Sequence, residues 1–305
     1  MARARRYPRP TTAPPQPIDA LFVGHLTRDV LPDGSWQPGG AVLYAGVAAA
    51  RLGLRVGIVT SAPADLCARA AEALGAAPMV VVDCETATTF ENVYTPAGRV
   101  QYLRASAHPL TLDDIPLEWR RCEVALLAPV AGELAPTLAG ELGARVIGAA
   151  PQGWLRQWEA DGRVRPQRID GEALAALGSL SALIVSREDL TGPAADVGTL
   201  AAAEETLAAW TRLVPLLVVT RGAEGADLYR AGAVERFSGY PAREVDPTGA
   251  GDVFAAAFLC ALAVGGDPAA AIDQANRVAA LSVEGVGPSA IPSLAQAIAR
   301  YPTRG

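Results

Sequence analysis

The sequence has 305 residues, of which 50% are hydrophobic and 19% are charged, and its formal net charge is -6. This composition suits a folded chain with a large core, and the excess of acid argues against nucleic acid as a main partner. All 26 basic residues are arginines, which excludes enzymes that depend on a lysine, such as Walker A nucleotidases, protein kinases, pyridoxal enzymes and Schiff-base aldolases.

Cysteine usage and the absence of long apolar segments predict a cytoplasmic protein. The four cysteines lie far apart, without a CxxC pair, which favours free thiols in a reducing compartment over a zinc site. The longest apolar stretch, Val253 to Val264, is shorter than the ~18 residues that a membrane helix needs, so no membrane contact is expected. Residues 1–17 are rich in Arg and Pro and lack the apolar centre of a signal peptide. They predict a disordered arm ahead of one domain over residues 18–305.

From residue 20 onward, short apolar runs alternate with Ala/Leu-rich segments of helical period. The runs predict strands at Ala20–Val23, Val56–Thr60, Met79–Val82, Val124–Leu127, Val146–Gly148, Ala182–Val185 and Leu216–Thr220. The segments predict helices at Ala41–Leu52, Ala64–Leu74, Leu134–Leu142, Thr199–Leu213, Asp252–Val264, Pro268–Val283 and Ser293–Arg300. Residues 87–103 and 226–237 instead predict antiparallel ribbons, the first turning at 95–99. This order is typical of an α/β fold in which a mainly parallel sheet carries helices on both faces.

The run VDPTGAGDVFAAAF, residues 245–258, joins a glycine-rich turn to an apolar helix. Gly249 and Gly251 permit backbone angles closed to other residues, so the amides from Gly249 through Ala250 to Asp252 can face one anion. The helix that follows adds its positive N-terminal end. Because a carboxylate beside bound phosphate is electrostatically costly, Asp252 is a candidate general base. For an isolated GAGD, an Asp N-cap on a core helix is the commoner explanation.

The full run resembles the C-terminal signature of the ribokinase-like (pfkB) family of carbohydrate kinases across residues 246–257. The resemblance implies a three-layer α/β fold with a small β lid. It also implies that Asp252 takes a proton from a substrate hydroxyl and that the preceding amides bind the transferred phosphoryl group. Lid elements are expected around residues 30–38 and 87–104, and the shortness of the first segment predicts a reduced lid.

An N-terminal substrate site is implied by VGHLTRDV followed by PGGAVLYAG. By this resemblance, Asp29 accepts hydrogen bonds from substrate hydroxyls, and Gly39 and Gly40 let the backbone approach the substrate. Many sugar kinases of the family have Asn four residues after the second glycine, where this chain has Tyr44. An aromatic wall at that position disfavours ribose as the substrate.

Two further segments resemble the family's nucleotide site. The first, VVTRGAEGADLY, is expected to contact the ATP phosphates and ribose through Thr220, Arg221, Gly222 and Gly225. In the second, QANRVAALSVEGVGPSAIP, Asn276 is expected near the base and the loop from Gly287 to Ala290 is expected to close the pocket. Related kinases bind a monovalent cation near this loop, and the residues leave open whether this chain does.

The family's Asn-x-x-Glu motif, which organises Mg²⁺ through water, falls on IVSREDL. The matching positions are Ser186 and Asp189, so the resemblance implies Mg²⁺ held through water by Asp189 and its neighbour Glu188. A helix N-cap at Ser186 with acids in the first turn accounts equally well for the same residues. Glu133 either points into the site or begins a helix.

Together these features indicate an ATP- and Mg²⁺-dependent kinase of a small sugar or cyclic polyol, closest in pattern to the myo-inositol kinase branch. A nucleoside kinase of the same fold is an alternative, with a base stacked on Tyr44 or Trp36. A nucleotide-binding regulator without turnover is another, because Ser186 and Asp189 depart from the family motif. A dehydrogenase is excluded because no GxGxxG follows the first strand. Monomer and homodimer are both compatible with the sequence.

Overall fold

The computed structural model describes residues 16–95, 98–192 and 197–302. Its strands are β1 (Ala20–Val23), β2 (Thr27–Val30), β3 (Trp36–Gly39), β4 (Val56–Ala62), β5 (Met79–Asp83), β6 (Thr88–Thr95), β7 (Gly98–Ala105), β8 (Val124–Leu127), β9 (Val146–Ala149), β10 (Arg156–Trp158), β11 (Val164–Pro166), β12 (Ala182–Ser186), β13 (Leu216–Thr220), β14 (Gly225–Arg230) and β15 (Ala233–Ser238). Its α-helices are α1 (Ala41–Arg51), α2 (Ala64–Leu74), α3 (Gly171–Ala176), α4 (Arg187–Thr191), α5 (Val197–Trp210), α6 (Ala250–Ala263), α7 (Pro268–Ser282) and α8 (Leu294–Arg300). Every predicted strand is present, with ends that agree with the prediction to within a few residues.

The central sheet has nine strands in the order β15-β14-β13-β12-β9-β8-β1-β4-β5. The strands from β13 to β5 are parallel, and the predicted second ribbon, β14–β15, adds an antiparallel edge. Because both faces are covered, strands such as β1 and β4 are buried along their whole length. Helices α1, α2, α6, α7 and α8 pack on one face. Helix α5 and the buried Trp119 and Trp210 lie on the other, which confirms the predicted three-layer α/β fold.

A separate four-stranded sheet, ordered β3-β2-β6-β7, stands beside the central sheet, and we call it the lid. The predicted ribbon forms β6 and β7, while β2 and β3 form a hairpin ahead of α1. The lid has more strand structure than the sequence indicated, because TRDV and WQPG contain charges, Pro and Gly that do not signal strands. Their hydrogen bonds come from each other and from the distant β6, which pairs in parallel with β2.

The ribbon β10–β11 was not predicted, and it is fastened to the lid. The Leu103 amide of β7 donates to the Gly162 carbonyl at 2.8 Å, and Tyr102 forms a β-bridge with Arg163. Gly162 has a φ of +88°, and a Cβ at this position would lie 2.4 Å from the Leu103 carbonyl oxygen. Glycine is therefore what allows the ribbon to approach the lid so closely.

One predicted helix is wrong: residues 134–142 contain only the 3₁₀ helix Pro136–Glu141. Its first-position proline and internal Gly140 give this short segment little tendency to extend as an α-helix. Residues 1–15 of the predicted arm, and the centre of the turn predicted at 95–99, lie outside the described residues. In the described part of the chain, no helix combines the length and apolarity needed to cross a bilayer.

Candidate active site

The carboxyl ends of the central strands and the lid enclose a cavity of about 380 Å³, which we call the lid cavity. Parallel α/β sheets present their ligand sites at this end, because the loops that follow the strands meet there. The lid covers the cavity with side chains from β2, β6 and β7. The predicted residues that meet in this cavity are Asp29, Gly40, Tyr44, Glu188, Asp189, Thr220, Gly249, Gly251 and Asp252.

The turn before α6 is shaped by close packing against Tyr44. Gly249 is the N-cap of α6 and has a φ of +76°, in the left-handed region that favours glycine. A Cβ at Gly249 would lie 2.2 Å from the Tyr44 ring, and Tyr44 is itself buried. Asp246 fixes the start of the turn, because its carboxylate accepts a hydrogen bond from the Thr248 amide at 3.0 Å. Tyr44 therefore lines the cavity and supports the turn at the same time.

The first turn of α6 borders the lid cavity with Gly251 and Asp252. The Ala250 amide already donates to the Pro247 carbonyl at 3.2 Å. Gly251 and Asp252 come next, in the turn where helical amides have no acceptor within the helix. A Cβ on Gly251 would meet nothing within 4 Å, so packing does not require glycine there. The amides of Gly251 and Asp252 are the best candidates for binding an anion.

Asp252 is half-buried on the wall of the lid cavity, in the first turn of α6. Its pKa is raised from 3.8 to about 7, chiefly by burial and then by the carboxylate of Asp189. The guanidinium of Arg156 acts in the opposite direction and limits the rise. A carboxylate whose pKa lies near neutral is well suited to accept a proton during a reaction.

Asp29 enters the cavity from strand β2 of the lid. Burial raises its pKa to about 6, against a hydrogen bond from the Thr27 hydroxyl at 3.0 Å. A Cβ on Gly39 would lie 2.2 Å from the Asp29 carboxylate. Gly40 has a φ of +98°, and a Cβ there would lie 2.4 Å from the His25 carbonyl. The glycine pair thus makes room for the carboxylate at Gly39, while Gly40 lines the cavity itself.

The lid ribbon adds side chains that sequence reasoning missed. Asn92 of β6 and Gln101 of β7 are paired in register, and the Gln101 amide donates to the Asn92 amide oxygen at 3.1 Å. Both line the lid cavity, together with the buried Phe90. The period of two along β6, which puts Phe90 and Asn92 on one face, was the signal available in the sequence. With Asp29, the two amides give the cavity a polar wall.

A second cavity of about 200 Å³ lies between the β14–β15 hairpin and helices α6 and α7, and we call it the helix cavity. It adjoins the lid cavity, since Thr220, Pro247 and Gly251 line both. Its remaining walls are mostly small or apolar and include the predicted Gly222 and Gly225 with Ala223, Phe254, Ala279, Ala280 and Val283. Four of the six predicted nucleotide residues, Thr220, Gly222, Gly225 and Asn276, therefore line a cavity beside the glycine-rich turn.

Asn276 brings a polar group to the helix cavity from α7. The residue is 6% exposed, and its Nδ2 is buried with no hydrogen-bond partner among the described residues. Leaving a buried donor unpaired costs about 1–3 kcal/mol. Such a donor marks a position where a bound molecule with an acceptor atom would be favoured.

Two of the predicted nucleotide contacts line neither cavity. Arg221 lies 3.2 Å from Asp227 across its own hairpin and donates to Glu224 at 2.7 Å. Its guanidinium is therefore held in the hairpin and does not face the cavities. The Gly287 amide donates to the Asp246 carboxylate at 3.1 Å. Gly287 thus supports the turn before α6 from behind.

The acidic residues at the start of α4 cap the helix and also line the lid cavity. Ser186 caps the helix in a capping box with Asp189: the Ser186 hydroxyl donates to the carboxylate at 2.6 Å and accepts from the Asp189 amide at 3.0 Å. Asp189 and Glu188 also line the lid cavity. Within the described ranges, no three or more His, Cys, Asp or Glu residues are grouped to hold a metal directly. Two carboxylates do fit a Mg²⁺ ion that keeps most of its waters.

Arg156 was not identified from the sequence, and it is the one basic side chain among the described residues that line the lid cavity. It is the first residue of β10, and its side chain is 16% exposed. Its Nη2 lies 3.8 Å from the Asp189 carboxylate. It follows the strand β9, so its position after a strand end was the only sequence signal for a place at the site.

Glu133 and His25 form a buried network rather than part of the site. The Glu133 carboxylate accepts hydrogen bonds from backbone amides, including those of His25 at 2.9 Å and Val130 at 3.0 Å. The His25 ring contacts the Thr88 hydroxyl at 2.7 Å and the His108 carbonyl at 2.8 Å. Glu133 neither points into the cavity nor begins an α-helix; it ties the chain below the lid to the loop after β8.

Comparison with known proteins places these features in context. The sequence pattern of the pfkB family carbohydrate kinases matches residues 30–294. Inositol 3-kinase from Zea mays is 28% identical over 244 residues, which cover 79% of this chain and 60% of the maize protein. The chain thus spans less than two thirds of the length of that relative.

Solved structures share the fold. A pyrophosphate-dependent kinase in the ribokinase family, complexed with a pyrophosphate analog and myo-inositol, has a TM-score of 0.76 at 21% identity over 92% of this chain and 99% of its own. Ribokinase from Arabidopsis thaliana, complexed with ribose and ATP, has a TM-score of 0.70 at 19% identity over 95% of this chain and 100% of its own. The family match includes strands β3, β6 and β7 of the lid, the acidic start of α4 and the glycine-rich turn of α6. The chain belongs to the pfkB family of carbohydrate kinases.

Proposed function

We propose that this protein transfers the terminal phosphoryl group of ATP to a hydroxyl group of a cyclic polyol or sugar. One observation carries the proposal: a polar cavity and a largely apolar cavity meet at Gly251, next to Asp252 in the chain. An acceptor in the lid cavity and a nucleotide in the helix cavity would bring hydroxyl and terminal phosphate together at this point.

Asp252 acts as the general base in this mechanism. Its carboxylate accepts the proton of the acceptor hydroxyl while that oxygen attacks the terminal phosphorus of ATP. The bond from this phosphorus to the bridging oxygen breaks, and ADP leaves with the electron pair. The amides of Gly251 and Asp252 donate hydrogen bonds to the transferring group, and the N-terminal end of α6 adds positive charge.

Glu188 and Asp189 would hold Mg²⁺ through water. When bound, the ion neutralises part of the negative charge on the donor phosphates. The capping box fixes the orientation of Asp189 before any ligand enters. This residue therefore serves the helix and the site together.

The helix cavity favours ATP over pyrophosphate as the donor. Pyrophosphate has no apolar part, whereas an adenine ring would cover the apolar walls formed by Phe254, Ala279 and Ala280. The same ring carries acceptor nitrogens for the unpaired Nδ2 of Asn276. On this point the proposal differs from the pyrophosphate-dependent structure that shares the fold.

The lid cavity favours a polyol over a nucleoside as the acceptor. Asp29, Asn92 and Gln101 offer donors and acceptors of the kind that a ring of hydroxyls requires. Trp36 is not among the residues that line the lid cavity, and its ring is contacted by two guanidinium groups whose carbons lie 4.6 and 4.1 Å from the ring centre. Tyr44 is covered by the turn before α6. These contacts reduce the aromatic surface available for stacking a base.

The test measures product release from Mg-ATP and from Mg-pyrophosphate against a panel of cyclic polyols, pentoses, hexoses and nucleosides. Turnover with ATP and a polyol such as myo-inositol is the expected result, and Asp252→Asn should remove it. Turnover with nucleosides alone would move the acceptor to the alternative class. Tight ATP binding with no response to any acceptor would favour a regulator instead.

A further inference from the structure

The charge of the lid cavity is strongly unbalanced. Its lining residues carry one guanidinium, that of Arg156, and four carboxylates, those of Asp29, Glu188, Asp189 and Asp252. A polyphosphate donor would bring more negative charge to the same space. Charges of one sign repel strongly where solvent is partly excluded. A fixed cation at the point of transfer therefore lowers the repulsion between the carboxylates and the donor phosphates.

The guanidinium of Arg156 lies near the acidic start of α4 and lines the same cavity as Asp252 of α6. Its Nη2 is 3.8 Å from the Asp189 carboxylate, and its charge lowers the pKa of Asp252. Charge-assisted N–H···O contacts are usually about 2.7–2.9 Å, so the contact with Asp189 is longer than a direct hydrogen bond. The planar fork of arginine matches two oxygens of a phosphate group.

The segment that carries Arg156 is joined to the lid. Arg156 begins β10, and the turn of the ribbon β10–β11 accepts a hydrogen bond from Leu103 of β7 at Gly162, at 2.8 Å. Arg104, also of β7, donates to the Asp161 carbonyl at 3.2 Å. A displacement of the lid relative to the central sheet would therefore be transmitted to the ribbon.

We propose that Arg156 is a catalytic residue that contacts the transferring phosphoryl group, and that the ribbon β10–β11 couples its position to the lid. The proposal rests on the kinase activity proposed above. Arg156 stays protonated throughout and donates two N–H groups to oxygens of the phosphoryl group between the acceptor oxygen and ADP. When the lid holds the acceptor, the ribbon thus helps to place the Arg156 guanidinium, which stabilises the phosphoryl group during transfer.

The first experiment compares Arg156→Gln with Arg165→Gln, a control on the same ribbon. The Arg165 side chain is partly exposed and pairs with the exposed Glu159 at 2.8 Å. We expect Arg156→Gln to lower kcat by roughly 10²-fold or more, with acceptor KM nearly unchanged. Arg156→Lys should recover little, since an ammonium lacks the bidentate fork. Arg165→Gln should match the wild type.

Two results would overturn the assignment. If kcat of Arg156→Gln returned to the wild-type value at pH 9, the arginine would only lower the pKa of Asp252. If the substitution raised acceptor KM alone, the guanidinium would bind the acceptor and not the phosphoryl group. Persistence of the kcat loss at pH 9 supports direct contact.

A binding measurement separates this proposal from the kinase proposal. Calorimetry with ATP and ADP should show that Arg156→Gln weakens ATP binding more than ADP binding, because only ATP brings the terminal phosphate to the lid cavity. An absence of wild-type turnover with every acceptor would remove the kinase activity and leave this measurement valid. Equal effects on ATP and ADP, or none, would remove the role of Arg156.

The coupling is tested with a matched glycine pair. A Cβ at Gly162 (φ +88°) would lie 2.4 Å from the Leu103 carbonyl, whereas one at Gly232 (φ +80°) meets nothing within 4 Å. Gly162→Ala should lower kcat by roughly tenfold or more, as small misplacements of catalytic groups do, and Gly232→Ala should not. Arg104→Gln breaks the second attachment if Gly162→Ala fails to fold. Wild-type kcat in a folded variant of either kind would overturn the coupling.

Discussion

The helix cavity and the lid cavity adjoin at Thr220, Pro247 and Gly251, but the chemistry of their linings differs. The helix cavity is lined mostly by small and apolar residues, and the Asn276 amide in its wall has no hydrogen-bond partner among the described residues. The lid cavity is formed by four carboxylates and a guanidinium carried by separate segments. Ligand binding in the helix cavity should therefore depend mainly on shape, and ligand binding in the lid cavity should depend mainly on charge. Substitutions that change volume and substitutions that change charge should have separable effects.

The largest expected effect on kcat comes from a change of charge at Asp252. Asp252→Asn should lower kcat by ~10² or more, because a general base typically contributes about 10²- to 10⁴-fold. ATP affinity should persist, since the helix cavity is untouched. Initial rates with the best acceptor and calorimetry with ATP measure the two quantities. Unchanged turnover would exclude Asp252 as the base. It would also show that the charge of the lid cavity does not govern turnover.

The two glycines of the turn test shape at the junction. Gly251→Ala should lower kcat by roughly tenfold, because its Cβ would project into the space that both cavities share. It should leave the melting temperature equal or slightly higher, since alanine is the better helix former. Gly249→Ala should lower the melting temperature strongly, because it has a φ of +76° and meets the Tyr44 ring. Full activity in a folded Gly251→Ala variant would show that the junction is not the point of transfer.

The glycine-rich turn was open to prediction because its chemistry is local in the sequence. A left-handed glycine, an adjacent helix start and a carboxylate lie within four residues, and Asp252 follows from them. Arg221, expected at the nucleotide, pairs in the structure with Asp227, which faces it only once the hairpin has formed. The sequence signal for this pairing was Asp227 at a core-facing position of a predicted strand, because a buried carboxylate needs a charged or hydrogen-bonding partner.

The lid side was harder to predict because its pairing is non-local. Strands β2 and β6 pair although β3, α1, β4, α2 and β5 lie between them in the chain, and neither TRDV nor WQPG has the pattern of a strand. Asn92 and Gln101 become neighbours only through this sheet. Arg156 follows a 3₁₀ segment with no recognisable motif. Fold class follows from periodicity, whereas the wall of a polar cavity depends on which distant segments meet.

A smaller effect is expected at the amide of the helix cavity. Asn276→Leu should raise KM for ATP by about 2- to 10-fold, the value of one neutral hydrogen bond, and leave KM for the acceptor unchanged. It should also stabilise the ligand-free protein, because a buried donor without a partner among the described residues is removed. Kinetics with varied ATP and a thermal melt give both quantities. Loss of stability with unchanged KM would mean that Asn276 has a structural role alone.

The smallest expected effect is on the thermal stability of the folded protein. Its pH dependence tests whether carboxylates in the lid cavity have raised pKa values. Asp252 has a pKa of about 7 in the folded protein and an ordinary value of 3.8, so folding favours its protonated form. The stability that this preference provides is complete below pH ~4 and is lost as the pH rises toward 7. Asp252→Asn removes the loss. Its melting temperature should exceed that of the wild type by an amount that grows from pH 5 to pH 7 and is constant above.

Two controls complete the pH experiment. Asp29→Asn should behave in the same way with its plateau near pH 6, because burial raises the pKa of Asp29 to about 6. Asp113→Asn, at an exposed residue that lines neither cavity, should follow the wild type at every pH. Since Asp252 is half-buried, solvent in the cavity will reduce the difference, but its direction is fixed by burial. A difference between Asp252→Asn and the wild type that does not change with pH would mean that the carboxylate is already ionised at pH 5, and Asp252 would then lack the neutral-range pKa that its proposed role as a base requires.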